Sequence, residues 1–260
     1  MTILTLDKGK FEKNVGKLDE KMQEKIAMFG TPIENITNNE LQIEIFPNRP
    51  DLLSYGNYVS ALKSYLGKSV GLIKIKLNKP EKNFVVKIDP SVKNVRPFTA
   101  CAIIKNLKLN DDKIKEIVEI QEKLHQTLGR KRKKAAIGIY PLEKINLPIS
   151  YKAMSPEEIK FRPLEFISEL SGREIITKHP AGKEYGFLLH SYDKYPVFID
   201  STGKILSMPP IINSHETGKI SLETKDIFID YSIDIFISEK SFVSGLTEKV
   251  EDFLGREKVK

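Results

Sequence analysis

The sequence predicts an α+β protein, with a small amino-terminal α+β domain followed by a larger, mainly antiparallel α+β domain. In the first part of the chain, segments with helical periodicity alternate with short strand patterns. In the second part, short strands are separated by turn signals with few helices between them, which favours antiparallel pairing. With 40% hydrophobic residues in 260, the chain can build more than one core.

The amino-terminal part mixes helix and strand. Residues 18–28 have helical spacing and end near Gly30, and residues 41–46 alternate like a half-buried strand. Asp51 is placed to cap a second helix, whose apolar residues recur at helical spacing until Gly67 ends it.

A polar stretch around Pro80 divides the chain. Residues 72–77 predict an alternating strand with lysines on one face, and residues 78–83 then read NKPEKN. Because polar segments that contain proline connect domains more often than they build cores, we place the boundary here. The amino-terminal domain is then 1–80, and the second domain is 81–260.

The second domain contains one clear amphipathic helix, at 112–128, which Asn110 or Asp111 can cap and Gly129 ends. A final helix is predicted over 241–254. Strand patterns occur at 84–88, 98–107, 135–140, 185–190, 195–200, 204–208, 226–230 and 233–237.

Composition excludes several classes of protein. No apolar run approaches the roughly 20 residues of a membrane helix, and no signal segment follows the amino terminus. The single cysteine, Cys101, lies in an apolar run and is predicted to be a buried thiol in a reducing cytoplasm. Nucleotide-binding loops, nucleophile elbows and zinc helices are absent. The four histidines are scattered along the chain, at His125, His179, His190 and His215. Because none of them is paired at ligand spacing, no metal site is predicted.

The net charge is +7, and the densest basic run follows the helix at 112–128. Such a run is either a solvated helix end, where cations suit the helix dipole, or a contact for RNA phosphates. The candidate RNA-binding residues are Arg130, Lys131, Arg132, Lys133 and Lys134.

Three sequence blocks carry a family resemblance. The first is EIFPNRPDLLSYGNYVSALKSYLG, and the second joins RPFTACAIIKNLKL to EIQEKLHQTLGRKRKKAAIGIYPLEKI. The third joins ILSMPPIINSHETGKI to DIFIDYS. In their order and spacing they resemble the β subunit of archaeal and eukaryotic phenylalanyl-tRNA synthetases, from residue 1 to about 250.

This resemblance implies an editing domain that hydrolyses tyrosine wrongly attached to phenylalanine-accepting tRNA. Tyrosine is phenylalanine plus one hydroxyl, and an apolar pocket rejects an added hydroxyl only by roughly a hundredfold. A second site that hydrogen-bonds the hydroxyl can discriminate in the other direction, because phenylalanine would leave its polar group unpaired.

The resemblance also implies an editing pocket. Asp230 is its acidic group, and Ser232 stands two residues further on the same face of an extended strand. Ser207 supplies a hydroxyl and Phe198 a wall, while the alternative for Asp230 is a strand-end carboxylate that meets a turn. No residue is assigned to bond breaking; a positioned water, helped by the terminal ribose hydroxyl of tRNA, is expected to cleave the ester.

Two positions depart from the family pattern. Tyr140 stands where histidine is usual, and Ser232 stands where threonine is usual. Both changes affect the geometry of substrate recognition without removing the acidic group. They leave open an alternative function, in which the domain is a non-catalytic scaffold that binds tRNA or another subunit. A general basic RNA-binding protein is a third hypothesis, and the three ordered blocks disfavour it.

The implied partners are tRNA(Phe) and the synthetase α subunit, in an α2β2 holoenzyme, with no membrane involved. ATP and magnesium are expected for the holoenzyme, where the α subunit performs aminoacylation, and no cofactor is expected in this chain. The chain alone is therefore not expected to charge tRNA. It is expected to be a fragment, a split gene product or a stand-alone editor.

Overall fold

The computed structural model describes residues 2–71 and 78–233. Contacts group the described residues into two compact units. The first unit comprises 2–71 with 115–128, and the second comprises the rest. The division of the sequence at residue 80 stays a prediction. The predicted strand at 72–77 and the predicted helix at 241–254 lie outside the described residues.

The first unit is a three-stranded antiparallel sheet with helices on it. The strand order is β1-β3-β2. The elements are β1 (Thr2–Asp7), α1 (Lys8–Asn14), α2 (Glu20–Met28), β2 (Ile33–Ile36), β3 (Glu40–Ile45) and α3 (Tyr55–Tyr65). Apolar residues of the sheet and the helices form one core, in which Phe11, Ile26, Leu41 and Ile43 are fully buried. The predicted helix at 18–28 and strand at 41–46 are confirmed.

The cap of α3 differs from the prediction. Ser54 accepts a hydrogen bond from the Asn57 amide at 3.3 Å, whereas Asp51 pairs with Arg49 at 2.9 Å. A 3₁₀ turn at Pro50–Leu52 precedes the helix and moves its start three residues along, which is why the predicted cap at Asp51 is wrong. Gly67 follows the helix end with φ of +71°, a conformation that suits glycine.

Helix α4 (Asp111–Gln126) confirms the predicted amphipathic helix. Its start is capped by Asn110, whose Oδ1 accepts from the Lys113 amide at 2.9 Å. The part after Ile114 belongs to the first unit, where Leu124 packs against the core.

The second unit contains most of the strands. A five-stranded sheet has the order β12-β11-β10-β7-β4, antiparallel except for the β4–β7 pair. A three-stranded antiparallel sheet has the order β5-β13-β6, and β8 pairs with β9. The strands are β4 (Val86–Ile88), β5 (Phe98–Ile104), β6 (Ala135–Pro141), β7 (Ile149–Met154), β8 (Lys160–Phe161), β9 (Leu170–Ser171), β10 (Tyr195–Ile199), β11 (Ile205–Met208), β12 (Ile212–Asn213) and β13 (Ile227–Ile233). The helices are α5 (Gly172–Lys178), α6 (Pro180–Tyr185) and α7 (His215–Gly218). The predicted α+β class with mainly antiparallel pairing is confirmed.

The segment 185–190 is helical, so the strand predicted there is wrong. His179 caps α6 by accepting from the Ala181 amide at 3.1 Å, and Pro180 takes the first helical position. A 3₁₀ turn at Gly186–Leu188 continues from α6. A short apolar run fits a buried helix as well as a buried strand, so periodicity alone did not distinguish them.

The strands predicted at 226–230 and 233–237 are one strand as far as Ile233, where the described residues end. Aromatic residues from both large sheets meet in one cluster. Tyr151 of β7 stacks on Phe198 of β10 with ring centroids 4.4 Å apart, and Phe228 of β13 belongs to the same cluster. This core holds the central strand of the three-stranded sheet against the five-stranded sheet.

Candidate functional site

Asp230 is a buried acidic residue in the middle of β13, with only 1% of its surface exposed. Since β13 is the central strand of its sheet, Asp230 lies opposite Cys101 of β5 on one side and Gly138 of β6 on the other. Cys101 is a free thiol and is only partly buried, less than its apolar context predicted. A carboxyl group in this position needs hydrogen-bond partners to offset its desolvation.

The partner of Asp230 is the phenol of Tyr140, a fully buried residue of β6. The Tyr140 hydroxyl lies 2.5 Å from Asp230 Oδ2, 2.8 Å from Ser207 Oγ and 3.5 Å from Asn213 Oδ1. A phenol has one proton to donate, and the short distance assigns it to the carboxyl group. The Ser207 hydroxyl carries its own proton, so it completes the arrangement without competing for that of Tyr140.

Burial controls the protonation of this pair. Loss of solvent raises the pKa of Asp230 to about 7, although the Tyr140 hydrogen bond and the positive charge of Arg96 oppose the shift. Burial and the neighbouring Asp230 also raise the pKa of Tyr140 well above its ordinary value. At neutral pH the phenol therefore stays protonated and acts as a donor, while the carboxyl group is near the midpoint of its titration.

Gly138 makes room for this contact. A Cβ atom at Gly138 would lie 2.1 Å from Asp230 Oδ2 and 2.2 Å from the Tyr140 hydroxyl. These distances are far shorter than van der Waals contact, so a side chain at this position would have to displace one of the two groups. The sequence alone did not single out Gly138, because only the pairing of β6 with β13 places it opposite Asp230.

The loop after β11 brings Asn213 to the site. Asn213 ends β12, and its Nδ2 donates to the Ile139 carbonyl at 3.4 Å, which directs its Oδ1 toward Tyr140. Gly218 packs against Asn213, since a Cβ atom there would lie 2.7 Å from the Asn213 Cβ. Asn213 is therefore a polar member of the site as well as a loop residue.

Ser232 has a different set of contacts. It shares a face of β13 with Asp230, as extended backbone predicts, and is fully buried. Its Oγ accepts from Arg96 Nε at 3.0 Å, and its carbonyl accepts from Arg96 Nη2 at 2.9 Å. Arg96 is itself buried and was not singled out from the sequence; its position two residues before an apolar strand was the available signal. The Ser232 hydroxyl thus holds Arg96, whose positive charge acts on Asp230.

Phe198 lies beneath the site. It is fully buried, stacks on Tyr151 and pairs in register with Ser207. Its ring therefore belongs to the apolar cluster beside Ser207, which also contains Tyr140.

The basic run after α4 forms a turn with two kinds of side chain. Arg130, Lys131 and Lys133 are exposed. Arg132 is half-buried: its Nη1 donates to the Ile211 carbonyl at 2.8 Å, and its guanidinium lies 4.3 Å from the Tyr185 ring centroid. The carbonyls of Arg132 and Lys133 in turn accept from Arg96.

Among residues 2–71 and 78–233, no group of histidine, cysteine, aspartate or glutamate residues could hold a metal ion. Within the same part of the chain, no helix is long and apolar enough to cross a membrane.

Comparisons with known proteins agree on a family. No protein-family model matches the chain. The phenylalanine–tRNA ligase beta subunit of Methanosphaera stadtmanae is 42% identical over 205 residues, which are 79% of this chain and 36% of that protein. That of Archaeoglobus fulgidus is 37% identical over 230 residues, which are 88% and 41%. The crystal structure of an N-terminal fragment of the phenylalanyl-tRNA synthetase beta subunit from Pyrococcus horikoshii superposes with a TM-score of 0.81 at 35% identity, covering 90% of this chain and 69% of that chain.

The fold and these similarities define a class first: the chain is related to the aminoacyl-tRNA ligases, which are proteins of translation. Within that class, it belongs to the β-subunit family of phenylalanine–tRNA ligases. The chain spans less than half the length of the curated relatives described above.

Proposed function

We propose that this chain is the editing part of a phenylalanine–tRNA ligase β subunit and hydrolyses tyrosine from mischarged tRNA(Phe). The observation that carries the proposal is the arrangement of Asp230, Ser207 and Asn213 around a phenolic hydroxyl. That hydroxyl belongs to Tyr140, and its chemistry is the same as that of a tyrosine substrate. The site is therefore built from groups that recognise a phenol.

Such a site favours tyrosine over phenylalanine. A phenylalanine ring would place a C–H group against a buried carboxyl oxygen, and an unpaired buried acceptor costs about 1–3 kcal/mol. Sites built on a hydroxyl hydrogen bond can discriminate by as much as ~10⁴–10⁵. Asp230 has the burial that this discrimination requires, since a solvent-exposed carboxylate would exchange a lost partner for water.

Hydrolysis follows from positioning in this proposal. With the phenol held by Asp230, the ester carbonyl of tyrosyl-tRNA lies at the opposite end of the amino acid. A water molecule adds to that carbonyl carbon, the bond to the ribose oxygen breaks, and the ribose oxygen takes a proton. The neighbouring ribose hydroxyl of the tRNA orients the water, and Asp230 selects the substrate without contacting the ester.

The exposed cations Arg130, Lys131 and Lys133 are proposed to contact tRNA phosphates. The α subunit is the proposed partner, in an α2β2 holoenzyme. Aminoacylation by the α subunit uses ATP and magnesium, and the holoenzyme works in the cytoplasm.

A second candidate function is a non-catalytic scaffold that binds tRNA or another subunit. The observation that favours it is the occupant of the site. Tyr140 already uses the acceptor that a tyrosine substrate would need.

The two functions are separated by incubating the chain with tyrosyl-tRNA(Phe) and phenylalanyl-tRNA(Phe) and following release of each amino acid. We expect tyrosine to be released faster, and we expect Asp230→Ala to lose this preference by tenfold or more, since about 1.4 kcal/mol is a factor of ten. Thermal unfolding of the same samples serves as the control for folding. Release at the spontaneous rate in both cases would favour the scaffold, and unchanged selectivity in a folded Asp230→Ala variant would remove Asp230 from the site.

A further inference from the structure

The phenol-recognition groups have an occupant within the chain itself. Asp230 on β13, Ser207 on β11 and Asn213 on β12 all direct polar atoms at the Tyr140 hydroxyl. These residues are between 67 and 90 positions from Tyr140 in the chain, so the convergence is a product of the fold and not of local structure.

We propose that Tyr140 is an internal ligand of this phenol-recognition site, with which the tyrosyl group of a substrate must compete for Asp230. The identity of the competing substrate rests on the proposed function. The site itself is argued from the hydrogen bonds of Tyr140. Tyr140 thereby determines how readily the site accepts a tyrosyl ester.

The geometry admits one hydroxyl at a time. Space beside Asp230 Oδ2 and the Tyr140 hydroxyl is too small for a methyl group, since a Cβ atom at Gly138 would lie within 2.2 Å of both. A second phenol cannot reach Oδ2 while Tyr140 is in place. The Tyr140 ring also packs beside Phe228, with centroids 5.7 Å apart, and so fills the apolar space next to the carboxyl group.

The receptor groups have contacts that do not depend on the Tyr140 side chain. Asn213 donates to the Ile139 carbonyl, Ser207 pairs in register with Phe198, and Asp230 lies in a strand paired on both sides. Truncation of Tyr140 therefore leaves a cavity of phenol size with a carboxyl group, a hydroxyl and an amide at one end. A cavity that is apolar along the ring and polar at one end can take up a small aromatic molecule that carries a matching hydroxyl.

The ligand test uses p-cresol, which is the tyrosine side chain as a free molecule, and toluene, which lacks the hydroxyl. In the Tyr140→Ala variant we expect p-cresol to bind at least about tenfold more tightly than toluene, because only p-cresol satisfies Asp230. Wild-type chain is expected to bind neither. Binding is followed by NMR chemical shifts and by the ligand-dependent rise in melting temperature.

Two variants control for the cavity itself. Tyr140→Phe keeps the ring and removes only the hydroxyl, so it is expected to exclude p-cresol. Tyr58→Ala opens a cavity of the same size in the first unit, where the lost hydroxyl faced Thr31 Oγ1 at 3.0 Å and no carboxyl group. We expect this variant to discriminate less between the two probes. Equal affinity of p-cresol and toluene in folded Tyr140→Ala would overturn the proposal.

Deacylation separates the inference from the proposed function. If both hold, Tyr140→Ala lowers the KM for tyrosyl-tRNA(Phe) by at least about threefold. While Tyr140 occupies the site, only the unoccupied fraction of molecules can bind the substrate, so removing Tyr140 raises the apparent affinity for the substrate. Selective p-cresol binding without deacylation by either chain would overturn the proposed function alone. Deacylation with an unchanged KM and no p-cresol binding would overturn the internal ligand alone.

If Tyr140→Ala does not fold, Tyr140→His keeps a polar ring and shortens the side chain. The same KM comparison then applies to it. A KM equal to that of the wild type in folded Tyr140→His would count against the proposal.

Discussion

The carboxyl group of Asp230 is removed from solvent, and this burial disfavours its charged form. It keeps a proton to higher pH when folded than when unfolded, since its pKa is raised from 3.8 to about 7. The same burial supports the proposed role of Asp230 in recognising a phenol. A buried carboxyl group gains more from one hydrogen bond than an exposed one, because water is not available as a substitute.

The raised pKa of Asp230 predicts a pH dependence of stability. Between pH 4 and 7 the folded state binds more protons than the unfolded state, so the free energy of unfolding falls as pH rises through that window. Relative to Asp230→Asn, whose amide does not titrate, we expect the wild type to lose up to about 4 kcal/mol across the window. Urea unfolding of both chains from pH 4 to pH 8 measures the difference. Parallel curves would contradict the prediction.

Gly138 predicts a second effect on the same contact. Gly138→Ala places a methyl group where Asp230 and Tyr140 meet, and overpacking of this kind costs about 1–3 kcal/mol. Gly56→Ala is a matched control in α3, where the nearest atom, a Glu116 oxygen, lies 3.4 Å from the added Cβ. The control is expected to be neutral or slightly stabilising, because alanine favours helix. Equal melting temperatures for the two variants would show that the strand contact can relax.

At the scale of elements, the turn between α4 and β6 combines structure and charge. Arg132 links the turn to the loop that follows β11 by donating to the Ile211 carbonyl. Arg96 links the turn to β13 by donating to the carbonyls of Arg132 and Ser232. The exposed members of the run leave their charges in solvent. The structural interpretation of the basic run therefore applies to Arg132, and the exposed side chains are the ones available for the proposed RNA contact.

Substitutions in this turn can separate the two roles. We expect replacement of Arg130, Lys131 and Lys133 by glutamine to weaken tRNA binding with little change in melting temperature. The logarithm of the binding constant falls linearly with the logarithm of the salt concentration, and each lost phosphate contact reduces the steepness of that line by about 0.7–0.9. Arg132→Gln is the matched control and is expected to lower the melting temperature instead, because it removes the hydrogen bond to Ile211. An unchanged salt slope in the triple variant would show that these residues do not contact RNA phosphates and are only solvated charges at the end of a helix.

At the scale of the whole molecule, the proposed division of labour assigns amino-acid activation to another subunit. The sequence contains no phosphate-binding loop. We therefore expect ATP–pyrophosphate exchange with phenylalanine to stay at background in the purified chain and to appear when an α subunit is supplied. Circular dichroism and thermal unfolding confirm that the tested sample is folded. Strong exchange by the chain alone would contradict the proposal.

Much of the architecture was predictable from the sequence. Helical spacing located α2 and α4, and short apolar runs between turn signals located the central strands of the second unit. These features depend on neighbours within a few positions, so local pattern contains the information. The sequence blocks also carried the family resemblance, and Asp230 was identified as the acidic residue from one of them.

The occupant of the site was decided by the tertiary structure. The sequence shows Tyr140 as a departure from the family pattern, but only the pairing of β6 with β13 and the approach of β11 place its hydroxyl on Asp230 and Ser207. The inward position of Arg132 and the link from Arg96 to Ser232 have the same origin. Each of these contacts joins residues that are distant in the chain. Burial strengthens each contact, because water is not available to replace a lost partner. A linear pattern records which groups are present, whereas packing determines which of them meet away from water.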